Sequence, residues 1–155
     1  MFTGIIEDLA EVVSVKKDGT NIYIELCSSF TSDLKIDQSV AHNGVCLTVV
    51  GIESDIYTVT AIKETLQKSN LGYLKKGSKV NIERSMKMGD RVDGHMVQGH
   101  VDQMAECVDI TKETVSYVLC FRYEKSDNIT VEKLSEIINI DISSLSNVYG
   151  ESMTL

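Results

Sequence analysis

A chain of 155 residues, 43% hydrophobic and 25% charged, is long enough for one ordinary domain or two small ones and sits inside the globular range. A formal charge of -8 argues against the lysine- and arginine-rich face that displaces counterions from nucleic acid. No apolar run approaches the roughly 18 residues that cross a bilayer, and the amino terminus lacks the basic and then apolar regions of a secretion signal, so a cytoplasmic location with no membrane partner is expected.

In chain order, alternation of period two marks the first hundred residues. NIYIEL at 21–26, IYTVT at 56–60 and VNIE at 80–83 read as half-buried strands, separated by turn signals at 17–19, 53–55 and 75–78. KETLQKSNLG at 63–72 breaks the rhythm; its helix formers and terminal Gly72 predict a short helix closed by a left-handed cap. A sheet of five or six short antiparallel strands has edges to hide, and closing on itself is the usual solution. A small barrel is expected over residues 1–88.

The chain then begins again. Met1, Gly4, Ala10 and Glu11 recur as Met96, Gly99, Ala105 and Glu106 at an offset of 95 (96 − 1), and the same offset carries the strand at 21–26 onto SYVLCF at 116–121. Residues 89–95 read as a linker and 96–155 as a second barrel. That second unit has 60 residues (155 − 95) where the first used 95, so it is expected to be incomplete. A shortened chain, a tail beyond the sequence, and a coding shift near Lys133 all account for this. For the later half of the repeat, YGESMTL at 149–155 echoes NGVCLTV at 43–49, and IDISSLS at 140–146 is a competing placement.

Cys27, Cys46, Cys107 and Cys120 include no C-x-x-C pair, so neither a disulfide nor a Cys-based zinc site is expected; all but Cys46 read as small buried apolar residues. His95 and His100 are five apart in extended chain and face opposite ways, without a cluster of further ligands, which argues against a metal.

MFTGIIE at 1–7, SVAHNGVCLTV at 39–49, KETLQKSNLG at 63–72, VNIERS at 80–85 and GDRVDGHMVQGHVD at 89–102 together resemble the riboflavin synthase family of the lumazine-binding, two-barrel type. The likeness runs almost continuously to about Lys133, including ITVEK at 129–133. It implies an all-β fold of tandem six-stranded Greek-key barrels, a supporting carboxy-terminal helix and a homotrimer. It also implies a transferase that dismutates two molecules of 6,7-dimethyl-8-ribityllumazine by moving a four-carbon unit, giving riboflavin and 5-amino-6-ribitylamino-pyrimidinedione. No cofactor and no metal is implied. Each barrel would hold one lumazine, with the first barrel of one subunit facing the second barrel of another. The substrate supplies its own electron sink, since the anion left by loss of a C7-methyl proton spreads into the fused ring. The protein must then hold two flat rings opposed and offer a modest base or hydroxyl.

The family's ligand segments fall on Gly4, Ile5 and Ile6, whose main chain would grip the heterocycle's edge; on Ser39; and on Cys46, Leu47 and Thr48, where Cys46 and Thr48 share a strand face that Leu47 leaves. They continue on Thr60, Ala61, Ile62, Lys63, Glu64 and Thr65, where a helix start would offer N–H groups and a hydroxyl to a polyol. In the second repeat they fall on Gly99, His100 and Val101 and on Lys133. Ser152 and Thr154 would be hydroxyls near the acceptor C7. His100, Cys46, Ser152 and Thr154 are the candidate catalytic residues; His100 would assist proton movement or orient a nucleophile. His95 reads as structural, and His42 is expected to pin the loop carrying Cys46. Plainer alternatives stand beside these: core isoleucines, a buried Cys with a strand Thr, a solvated helix surface at Lys63 and Glu64, and an exposed strand-end Lys133. A non-catalytic lumazine or flavin carrier, like the antenna proteins of light-emitting bacteria, and an inactive fragment are the competing functions.

Overall fold

In the computed structural model, residues 1–124 and 153–154 are described. Six antiparallel strands, β1 (Asp8–Asp18), β2 (Asn21–Cys27), β3 (Ser39–His42), β4 (Val45–Glu53), β5 (Ile56–Ala61) and β6 (Lys79–Arg84), close into a barrel in the order β1-β2-β5-β4-β3-β6. The consecutive hairpins β3-β4-β5 are flanked by β2, which leads into β3 by a long connection, and by β6, which a second long connection reaches from β5; this is the Greek-key arrangement. All-β architecture and closure therefore agree with the expectation.

Alternation decides which side chains fill the barrel. Ile22, Ile24 and Leu26 of β2, Leu47 and Val49 of β4, Tyr57, Val59 and Ala61 of β5, and Val80 and Ile82 of β6 point inward and are buried. Each fully buried aliphatic side chain contributes about 1.5–3 kcal/mol relative to exposure. Phe30 and Leu34 from the β2–β3 connection, and Leu71 from the β5–β6 connection, join the same core. The tight turns are placed by residues that tolerate positive φ: Asn43 (49°) with Gly44 (81°) closes β3 onto β4, as an Asn-Gly pair does in two-residue hairpins.

The expected helix is shorter than its motif. α1 covers Lys63–Lys68, and Gly72 lies inside a following 3-10 turn, Asn70–Tyr73, rather than at a left-handed cap. Ser69 ends the helix in extended backbone; its hydroxyl donates to the Thr65 carbonyl at 2.7 Å and accepts from the Leu71 N–H. That turn drops Leu71 into the core.

The repeat is visible in three dimensions. β7 (Met104–Lys112) and β8 (Tyr117–Arg122) form a hairpin whose register copies β1 and β2 residue for residue. Val12 opposite Leu26 and Ser14 opposite Glu25, with a bulge between, become Cys107 opposite Phe121 and Asp109 opposite Cys120, again with a bulge. β9 (Met153–Thr154) adds to β7, giving an order of β8-β7-β9. Gly4 and Gly99 have matching φ of 80° and 78°. The equivalent residues Phe2 and Val97 pair with each other, N–H to carbonyl both ways at 2.8 and 2.9 Å, so the two repeats meet across a local two-fold.

A candidate ligand face on the outside of the first barrel

Because Leu47 and Val49 face the packed interior, Cys46 and Thr48 must face outward. Pairing then fixes their neighbours. Glu83 of β6 lies opposite Ala41 of β3, and Ala41 opposite Cys46 of β4, giving one row across the outer face. Ser39 lies opposite Thr48, and the β4–β5 register of Val49 opposite Val59, carried one step, brings Thr60 beside Thr48; Tyr23 of β2 is paired to Thr60. The second row thus lines up hydroxyls from four strands. Thr60 Oγ1 is buried and has no hydrogen-bond partner among the described residues.

The first row is covered by chain from both repeats. The Gly99 carbonyl accepts from the Cys46 N–H at 2.8 Å. A Cβ on Gly99 would lie 2.8 Å from Cys46 Cβ and 3.1 Å from the Phe2 ring, so only glycine admits this approach. Phe2 is buried, while His100, next along, is exposed. The segment at 94–99 also touches the amino terminus: the His95 N–H donates to the Thr3 carbonyl at 2.9 Å, and a Cβ on Gly94 would sit 2.3 Å from that same oxygen.

Glu83, 5% exposed, accepts three hydrogen bonds from this terminal stretch. Its Oε1 takes the Thr3 N–H at 2.5 Å and the Thr3 hydroxyl at 2.7 Å; its Oε2 takes the Gly4 N–H at 3.0 Å. The Thr3 hydroxyl oxygen in turn accepts from the Ile5 N–H at 3.2 Å. Nearby, Arg84 lies 4.6 Å over the Phe30 ring and pairs with Glu7 and Asp33. Although partial burial pushes the Glu7 carboxyl upward, the Arg84 hydrogen bonds and charge leave it below its ordinary range.

The structure thus gathers Cys46, Thr48, Ser39, Thr60 and Gly99 on or against one outer face, with Gly4 tied to Glu83 of the same row. Ile5 and Ile6 are exposed beyond it. Leu47 and Ala61 lie in the interior, so their side chains support the face from behind, and Val101 packs against the core. Ile62 precedes α1 and is exposed; Lys63 is exposed, and Glu64 is engaged with Lys68 at 2.7 Å on the helix surface. Thr65 is half-buried. Lys133 and Ser152 lie outside the described residues, and of Thr154 only the β9 backbone is described.

His42 does not pin the turn that precedes Cys46. Its ring points inward, with Nδ1 3.1 Å from the Val40 carbonyl and Nε2 3.0 Å from the Tyr57 hydroxyl, joining β3 to β5. The pin is Asn43, which exchanges hydrogen bonds with the Asn81 main chain, donating at 2.8 Å through its own N–H and accepting at 2.9 Å on its side-chain oxygen. Sequence reasoning also passed over Phe2 and Glu83. The signal available for Glu83 was its place in VNIERS, where alternation with Ile82 turns a carboxylate to the outer face.

Residues 3–85, more than half of the chain, match the lumazine binding domain. Riboflavin synthase of Bacillus amyloliquefaciens is 43% identical over 115 residues, 74% of this chain and 54% of that protein. Riboflavin synthase of Escherichia coli (strain K12) is 36% identical over 147 residues, 94% of this chain and 69% of that one. The chain spans about half the length of most of these relatives, 54% for the first. Among solved structures, LumP complexed with 6,7-dimethyl-8-(1'-D-ribityl) lumazine superposes with a TM-score of 0.71 at 21% identity, over 81% of this chain and 70% of that one, a likeness of fold. With the barrel, its repeat and these matches together, the chain belongs to the riboflavin synthase family of lumazine-binding proteins.

Proposed function

We propose that the outer face of the first barrel binds 6,7-dimethyl-8-ribityllumazine, and that the chain acts as a riboflavin synthase, a transferase that needs no cofactor. What supports this is the hydroxyl row of Ser39, Thr48 and Thr60 next to Cys46, on a chain 36% to 43% identical to riboflavin synthases. A ribityl-substituted heterocycle needs hydroxyl partners along one rim and apolar surface over its rings. The row offers the first, and the exposed Ile5, Ile6 and Ile62 offer the second.

In this reading the main chain at Gly4, Ile5 and Ile6 grips the ring edge, and Thr65 and the start of α1 face the ribityl hydroxyls. Cys46 lines the pocket near the reacting carbons. His100, exposed beside the Gly99 contact, takes the C7-methyl proton or delivers one to the departing pyrimidinedione. Lys133, Ser152 and Thr154 serve the second lumazine. Holding both rings opposed converts an encounter of two solutes into a reaction within one complex. The working form is a cytoplasmic homo-oligomer in which the second unit, 96–155, meets a first barrel.

The test is incubation of the purified chain with 6,7-dimethyl-8-ribityllumazine while riboflavin is followed by absorbance and chromatography. Equal amounts of riboflavin and pyrimidinedione are expected. A folded sample that gives neither refutes the enzyme. The carrier reading has one observation behind it: one barrel closes among the described residues, and its fold resembles LumP. Stoichiometric, saturable lumazine binding without product would select it.

A further inference from the structure

We infer that Glu83 is a positioning residue whose carboxylate holds Thr3 and Gly4, and through them the 94–100 segment, over the proposed ligand face. This rests on the reading of that face as a ligand site.

A carboxylate that is 5% exposed is costly to bury unless its lone pairs are met. All three hydrogen bonds that Glu83 accepts come from Thr3 and Gly4, and among the described residues no Lys or Arg forms an ion pair with it. The barrel itself has no need of this charge. Ala41, next in the same row, is buried under the same cover without a polar group. An apolar residue at 83 would often serve stability as well or better, so the carboxylate's distinct contribution is to select one conformation of the segment above it.

That segment lies outside the barrel strands, yet its bonds return to the row they started from. Glu83 holds Thr3; the Thr3 carbonyl takes the His95 N–H; Phe2 and Val97 exchange hydrogen bonds; Gly99 takes the Cys46 N–H. Cys46 is two strands away from Glu83 in one row. The circuit thereby sets both Gly4 and His100 relative to Cys46. Thr3 also fixes the turn toward Ile5.

Glu83→Gln tests this with almost no change of volume. An amide has one acceptor oxygen, so its NH2 must face either Gly4 N–H or the Thr3 pair. The first readout needs no ligand: iodoacetamide labelling of Cys46, followed by peptide mass spectrometry with Cys27 on β2 as internal reference. Cys46 is expected to label several-fold faster relative to Cys27 in Glu83→Gln, with Glu83→Asp, which keeps two acceptor oxygens, intermediate. The second readout is 6,7-dimethyl-8-ribityllumazine affinity by fluorescence, expected to fall at least about tenfold while the melting temperature moves little. Unchanged labelling and unchanged affinity overturn the inference. If the unaltered chain binds no lumazine, the ligand reading fails and the labelling arm alone decides positioning. If Glu83→Gln does not fold, Thr3→Val removes the hydroxyl bond and leaves the carboxylate. Faster Cys46 labelling there supports the inference, and labelling equal to the unaltered chain overturns it.

Discussion

Acidification from pH 7 to pH 4 is expected to cost the barrel about 3 kcal/mol through one side chain, His42. The imidazole is 1% exposed and bonded on both nitrogens within the core. A carbonyl only accepts, so Nδ1 carries the proton toward Val40 and Nε2 accepts from the Tyr57 hydroxyl. Burial pushes the Tyr57 phenol upward, with the Asp8 carboxylate adding to it, so Tyr57 stays protonated and remains the donor. For His42, burial outweighs the Val40 hydrogen bond and lowers its pKa from 6.5 to about 4. Above pH 6.5 the ring is neutral in folded and unfolded chain alike, and stability is complete. Between 6.5 and about 4 the unfolded chain takes up a proton that the folded chain refuses, so stability falls with pH; below about 4 the loss is fully developed. At about 1.4 kcal/mol per pH unit, that interval gives about 3 kcal/mol, a large part of an ordinary domain's stability. Carboxylates such as Glu7 and Asp8, whose pKa values are also lowered, add their own acid sensitivity, so the comparison is with His42→Gln. Urea unfolding of both proteins at pH 7, 6, 5 and 4 should show the stability difference between them shrinking by about 3 kcal/mol toward acid. A difference that stays constant across the range would refute the reasoning, because it would mean that His42 titrates in the barrel as it does in the open chain.

Gly99→Ala should bring about 1–2 kcal/mol of left-handed backbone strain and about 1–3 kcal/mol of overpacking, because the new Cβ meets Cys46 at 2.8 Å. Gly19→Ala, with φ 59° and nothing within 4 Å, should show the first effect alone, which makes it the control in thermal unfolding. Thr60→Val removes a buried hydroxyl that has no partner among the described residues, so the melting temperature should rise by an amount worth about 1 kcal/mol while lumazine affinity falls about tenfold. Equal affinity by fluorescence titration would take Thr60 out of the site. His100→Gln, on an exposed side chain, should leave unfolding unchanged and slow single-turnover riboflavin formation by about 100-fold or more. A rate within a few-fold of the original would remove His100 from proton transfer.

The strands at 21–26, 56–60 and 80–83 were legible because one wet face and one packed face write an alternating pattern into the sequence. The repeat was legible down to register, since an offset of 95 carries the β1–β2 bulge onto the β7–β8 bulge. The helix end was not. Gly72 advertises a left-handed cap, but the backbone turned three residues earlier because Ser69 can bond the helix and the next turn at once, and that turn carries Leu71 into the core. That Cys46 and Thr48 share one face and Leu47 the other followed from alternation, whereas which of the two faces is the outer one depended on what fills the barrel. The roles of His42 and Glu83 did not follow from alternation, because both depend on partners 15 and 80 positions away in the chain, Tyr57 and Thr3, and one strand's pattern holds no record of what lies across the barrel or over its surface.

Where a ligand can sit follows from what the barrel already contains. Tyr57, Ile24, Leu26, Leu47, Val49, Val59 and Ile82 meet in the interior of a six-stranded barrel, and among the described residues this core is made of side chains packed on one another. A fused heterocycle entering it would have to displace several of them, at a few kcal/mol for each large side chain. The outer face asks for no such exchange of core side chains, since its hydroxyl row is laid out by strand pairing. On the proposed reading, the outer face grips a flat ring along its rim and leaves one side of the ring uncovered. On the same reading, the second lumazine that the four-carbon transfer requires, brought by another such face, covers the apolar surface that the first barrel leaves open. Burial of ring against ring and orientation for reaction are then the same event, and a single barrel that binds tightly should still be unable to turn its ligand over.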